Sequence, residues 1–176
     1  ENVAHNDGGW RFTVNSAPAQ IASHSRHDVD NALAALAAAD ILNIPLADAA
    51  NALRSYAPPP MRMQMVATPW GGTVLNVAYN AAPASVRSAL ATLARHAAGR
   101  KIVFLGDMKE LGDQSAAAHR ALGAAIAELG GLDSLYAVGE LAALIPGAAQ
   151  AFPDSDAAAK FARETLVVRA NDAILV

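Results

Sequence analysis

The chain has 176 residues, a formal net charge of −3 and no cysteine, and alanine makes up much of its 53% hydrophobic content. That length suits one ordinary domain, or a small one plus part of another, and the alanine content points to a helix-rich protein. Disulfides and thiolate metal sites are excluded. No basic-aromatic stripe suggests nucleic acid, and no apolar run approaches the roughly 18–20 residues of a membrane span.

"GGWRFTVNS" reads as a strand with Trp10, Phe12 and Val14 on one face, and "PAQIASHSRHD" as polar and turn-rich. From Val29 a helix is predicted, with Leu33, Leu36, Ala37 and the Asp40-Ile41 step at 3–4 spacing and Asp28 or Asp30 as its cap. "IPLADAANALRSY" predicts a second short helix with Leu46, Ala49, Ala50 and Leu53 on one side. "APPP", Ala57 to Pro60, is a stiff linker and the best domain boundary in the chain.

Beyond it, strand and helix alternate. "MRMQMVAT" and "GGTVLNVAY" predict strands, and "PASVRSALATLARHA" a helix opened by Pro83. "KIVFLG" is a strand and "SAAAHRALGAAIAELG" a helix closed by glycine. Then come a strand in "LDSLYAVG", a short helix in "ELAALIPGA", a short strand in "AAQAFP", a helix in "SDAAAKFARETL" capped by Ser155 or Asp156, and a last strand in "DAILV". This alternation predicts an α/β fold with a mostly parallel sheet flanked by helices. No starting Met opens the chain and "NDAILV" stops at a strand end, so a piece of a longer protein is expected.

Ligands of open parallel sheets bind beyond the carboxyl ends of the strands, which singles out the polar loops "NVAYNAAP", "GDMKELGD" and "VGE". No GxxxxGK[ST] loop, GxGxxG, HExxH or GxSxG is present, so phosphate-loop, dinucleotide, zinc-hydrolase and serine-hydrolase readings lack their motifs. His24 and His27 flank Arg26 in a loop. His119, on a helix, reads as a satisfied surface or boundary histidine.

Four blocks together resemble the Mur ligases, the ATP-dependent amide-forming enzymes of peptidoglycan synthesis. They are "SRHDVDNALAALAAADILNIPLADAANAL", "MRM", "LNVAYNAAPASVRSAL" and "FLGDMKELGDQSAAAHRALG". Their order and spacing agree with the family over nearly the whole chain. The last block resembles the branch that joins D-alanyl-D-alanine to a UDP-N-acetylmuramoyl-tripeptide. The resemblance implies that residues 1–59 end the central ATPase domain and that 60–176 form most of a Rossmann-like C-terminal domain. It implies ATP and Mg²⁺, bound mainly by the upstream part, and a cytoplasmic location; the oligomeric state is unknown, a monomer being the expectation. The phosphate loop, a modified lysine and the metal ligands would lie upstream, and a Lys-Gly-Ser segment would follow Val176.

Residue by residue, the resemblance implies nucleotide contacts for His27, Asn31, Arg62, Asn76, Tyr79 and Asn80, and a place near the dipeptide for Asp107, Lys109 and Glu110. It implies no catalytic or metal-binding residue on this chain. The chain also departs from the family: Asn76-Val77 stands where the family has two aspartates, Ala82 replaces an asparagine, and Ser25 and Asp28 replace a glycine and an asparagine. The second aspartate normally engages the ribose, so Val77→Asp is expected to tighten ATP binding. Two readings follow: part of a competent ligase, or a Mur-like binding or regulatory protein that has lost ligase activity. A dinucleotide-binding oxidoreductase is disfavoured by the missing glycine fingerprint.

Overall fold

The structure, a computed structural model, describes residues 2–6, 8–96 and 98–176. Its contacts divide the chain into two units, Glu1–Pro59 and Pro60–Val176, and the division falls inside the predicted proline linker.

In the first unit β1 (Ala4–Asn6), β2 (Gly9–Val14) and β3 (Ala17–Ile21) form an antiparallel sheet in the order β1-β2-β3. Asn15 and Ser16 join β2 to β3 with φ of 46° and 66°, the mirror-image turn that matches strand twist. β3 lies within the stretch predicted to be irregular. Its Pro18 is tolerated because the strand sits at an edge of the sheet.

Against this sheet pack α1 (His27–Ile41) and α2 (Leu46–Ala52), the latter continuing as a 3-10 turn over Leu53–Ser55. Phe12, Ala19, Ile21, Val29, Ala32, Leu36 and Ala50 are the buried core. Leu46, Ala49 and Leu53 pack on it, as their spacing predicted. The buried face of α1 is therefore Val29–Ala32–Leu36, whereas Leu33 and Ile41 are exposed. Alanines around the helix make every face similarly apolar, so periodicity did not fix the phase of burial. Neither Asp28 nor Asp30 is the N-cap; Arg26 holds that position and both acids lie in the first turn.

The second unit is built on a six-stranded sheet in the order β4-β5-β9-β6-β7-β8. The strands are β4 (Gln64–Ala67), β5 (Thr73–Asn76), β6 (Lys101–Gly106), β7 (Ser134–Val138), β8 (Gln150–Phe152) and β9 (Ala173–Leu175). β4 pairs antiparallel with β5 and every other neighbouring pair is parallel. The helices are α3 (Pro83–Arg95), α4 (Ser115–Leu129) and α5 (Ser155–Glu164).

Alternation along the strands assigns the two faces. Val103, Leu105 and Leu75 bury with Val86, Leu90 and Leu93 of α3 and Leu122 of α4. Ile102, Ile174 and Tyr136 bury with Phe152 and Ala158, and Phe161 of α5 packs on them. This is the expected mixed α/β layering. Two details differ from the sequence reading. Asp154, not Ser155 or Asp156, caps α5 by accepting from the Ala157 amide at 2.8 Å. "ELAALIPGA" forms only a 3-10 turn over Ala142–Leu144, and Pro146 cannot continue it as a helix.

The last strand, β9, enters the middle of the sheet between β5 and β6. Arg100, just before β6, grips Asp172, just before β9. Its Nε donates to Oδ1 at 3.2 Å and its Nη2 to Oδ2 at 2.5 Å. Asp172 is 2% exposed and also accepts from the Arg169 amide at 2.8 Å. The hydrogen bond from Arg100, outweighing burial, holds the Asp172 carboxyl below the usual carboxylate range.

Candidate functional site

Strands β5, β6, β9 and β7 run parallel, so their carboxyl ends share one edge of the sheet. The loops after β5, β6 and β7 leave from that edge, and they are the three polar loops picked out in the sequence. The Arg100–Asp172 pair lies at the opposite, amino edge, where it serves the fold.

After β5 the chain turns sharply. Asn76 Oδ1 accepts from the Ala78 amide at 3.1 Å, and the Val77 amide donates to the Val176 carbonyl at 2.7 Å. The Val77 side chain packs against the main core. Tyr79 and Asn80 are exposed, and the Tyr79 amide donates to the Met61 carbonyl at 3.3 Å. The Arg62 guanidinium carbon stands 4.1 Å from the centroid of the Tyr79 ring, a cation–π contact that ties the segment before β4 to the loop after β5. Arg62, Asn76, Tyr79 and Asn80 thus come together at one strand end. Ser85 Oγ both accepts from the Ala82 amide, at 3.1 Å, and donates to its carbonyl, at 3.0 Å, fixing the turn into α3 where Ala82 itself offers no polar side chain.

The loop after β6 is anchored twice in succession. Asp107 Oδ1 accepts from the Ala142 amide at 2.7 Å. Its carboxylate lies where a side chain at residue 139 would stand: a Cβ on Gly139 would come within 2.4 Å of Oδ1, and Gly139 has φ +111°. Asp107 therefore joins the β6 loop to the β7 loop. The next residue, Met108, buries its side chain in the core and donates its amide to His119 Nε2 at 2.9 Å. Beyond these anchors Lys109 and Glu110 are exposed, and Glu110 sits at φ +64°. His119 is fully buried, not the surface or boundary histidine expected from its helix position.

In the first unit, His27 and Asn31 are exposed and four residues apart on α1, so they share a face. Asn31 Nδ2 donates to Asp28 Oδ1 at 3.3 Å, and Asp28 Oδ2 accepts from Ser23 Oγ at 2.5 Å. Arg26 pairs with Asp30 at 3.1 Å and lies 5.7 Å from the Trp10 ring centroid.

Residues 61–176 match the family described as Mur ligase, glutamate ligase domain. The chain belongs to the Mur ligases. It is 34% identical over 148 residues to the UDP-N-acetylmuramoyl-tripeptide–D-alanyl-D-alanine ligase of Bacillus subtilis, covering 82% of this chain and 32% of that one. The enzyme of the same name from Haemophilus influenzae is 33% identical over 149 residues, again 82% of this chain and 32% of the other. The chain therefore spans about a third of the length of these curated relatives. Among solved structures, the corresponding Acinetobacter baumannii ligase superposes with a TM-score of 0.83 at 25% identity, over 99% of this chain and 39% of that one. MurF from Thermotoga maritima, solved with ADP, superposes with a TM-score of 0.78 at 22% identity, covering 99% and 41%, a likeness of fold.

Two residues of this Mur ligase chain, Gly139 and His119, take roles that their local sequence did not reveal. Gly139 had only the label of a polar strand end; its need for glycine arises from a carboxylate 32 residues away. His119 had a usable signal, its place in the same block as "LGDM".

Proposed function

We propose that this chain is the end of the central nucleotide-binding domain, residues 1–59, and most of the C-terminal domain, residues 60–176, of an ATP-dependent ligase. The ligase joins D-alanyl-D-alanine to a UDP-N-acetylmuramoyl-tripeptide. One observation carries the reading: the "FLGDMKELG" loop is anchored at Asp107 and Met108 and leaves Lys109 and Glu110 exposed beside the strand ends. The names of the relatives at 33–34% identity supply the substrates.

In this reading ATP phosphorylates the tripeptide carboxylate and ADP leaves. The dipeptide amine then attacks the acyl carbon, its proton is lost and phosphate departs, so an amide C–N bond replaces the acyl C–O bond of the acyl phosphate. His27 and Asn31 offer adenine a donor–acceptor surface on α1, and Arg62 offers a cation to phosphate. Tyr79, with Asn76 and Asn80 beside it, offers a ring and amides to the nucleoside. The dipeptide is a zwitterion, and Lys109 and Glu110 present the complementary pair of charges. Asp107, with one oxygen on Ala142, contributes by bracing. Mg²⁺ would shield the phosphate charges. Among the described residues no group of three acidic or histidine side chains converges to hold it. No described helix is long and apolar enough to cross a membrane. The cytoplasmic location proposed for the enzyme rests on the names of its relatives.

The test is phosphate release by the full-length protein given ATP, the tripeptide nucleotide and D-alanyl-D-alanine. Release that needs all three supports the ligase. ATP binding without release under any combination would instead favour a Mur-like binding protein, the reading that Val77 and Ala82 motivate.

A further inference from the structure

The β6 loop holds two exposed charged residues next to two immobilised ones, and one immobilising group comes from the helix behind it. The chemistry of that contact is fixed by its partners. The Met108 amide can only donate, so His119 Nε2, 2.9 Å away, is the acceptor. The Ser115 carbonyl can only accept, so His119 Nδ1, 2.6 Å away, carries the proton. A single neutral tautomer satisfies both bonds; a charged ring would set N–H against N–H at Met108. The ring is fully buried, and the Met108 side chain beside it is 1% exposed.

Immediately beyond, Glu110 holds φ +64°, a conformation that L side chains rarely adopt and that persists only where the surroundings over-determine it. The over-determination is visible: Asp107 is tied to Ala142, and Met108 to His119 and the core.

We infer that His119 is a positioning residue for the site. Through the Met108 amide its neutral ring sets where Lys109 and Glu110 stand, and so controls capture of the dipeptide and not of the nucleotide. The inference rests on the ligase reading for its substrate, and on the structure alone for its geometry.

Two variants separate positioning from bulk packing. His119→Gln keeps an acceptor at the reach of Nε2, and His119→Leu keeps apolar volume and removes the acceptor. In the 176-residue chain, hydrogen exchange at the Met108 amide should quicken by on the order of tenfold in His119→Leu and return towards the parent in His119→Gln, with Val103 and Leu122 unmoved. Nitrogen NMR of the parent should show Nδ1 protonated and Nε2 bare. In the full-length enzyme, His119→Leu should raise KM for D-alanyl-D-alanine about tenfold, leave KM for ATP unchanged, and be largely rescued by His119→Gln.

The inference is overturned by a protonated Nε2, by a Met108 amide that exchanges as slowly in His119→Leu as in the parent, or by the two KM values rising together. If His119→Leu does not fold, the tautomer and His119→Gln still decide. If the parent enzyme adds no dipeptide, the ligase reading fails on the parent alone; exchange and tautomer then judge the loop geometry by themselves.

Discussion

Two residues show how position governs what a side chain can do. Asp172 is buried against Arg100, and its carboxyl is held below the ordinary range mainly by that hydrogen bond. A carboxyl depressed in the folded state stabilises the fold above its unfolded pKa of about 4, and that stability is lost as pH falls through the folded value. Asp172→Asn should therefore lower stability at pH 7 by about 2 kcal/mol and flatten the acid limb of the curve. Urea unfolding at a series of pH values below 7 measures both. Val77 illustrates the converse. The resemblance makes an aspartate there a ribose ligand, but the Val77 side chain packs on the core, and an aspartate would set a carboxylate against apolar groups. The expectation that Val77→Asp tightens ATP binding therefore carries a cost in stability beside it. The substitution should destabilise the domain by about 2 kcal/mol, read as a lower Tm, whereas Val77→Ile should leave Tm within a few degrees.

Between elements, the β6 and β7 loops behave as one unit because Asp107 fills the space over Gly139. Gly139→Ala brings a Cβ into that carboxylate and places alanine at φ +111°, and should cost about 3 kcal/mol. Asp107→Ala alone loses the Ala142 bond, about 1–2 kcal/mol. Combined, the two should cost less than their sum, since removing the carboxylate relieves the clash and leaves only the strained φ. A double-mutant cycle by chemical denaturation that came out strictly additive would show that the two loops are not coupled through this contact.

At the scale of the whole molecule, the core clusters fall within the two units: Phe12, Ile21 and Leu36 belong to the first, and the residues on both faces of the six-stranded sheet to the second. Residues 60–176 should thus fold alone with a cooperative transition, at a midpoint matching one transition of the complete chain. Circular dichroism of that segment, expressed without residues 1–59, checks this; a non-cooperative melt would mean its core needs the first unit.

The sequence by itself determined the alternation of strands and helices after Pro60, a proline linker at the division between the units, and three polar loops that leave one edge of the sheet. These are local properties: turn residues, proline and short apolar runs act within a few positions. It also carried the family, because the "FLGDMKELG" block is contiguous. What only the tertiary structure decided is long-range. The phase of α1 required the sheet, since alanine gives the helix no single apolar side. β3 was hidden because an edge strand tolerates proline. The burial of His119, the glycine at 139 and the clasp of Arg100 on Asp172 join residues 11, 32 and 72 positions apart. Nothing in the spacing of charges shows which carboxylate meets an arginine and which meets solvent. That is settled when β9 enters between β5 and β6 and brings Asp172 beside Arg100, whose guanidinium holds this buried acid ionised.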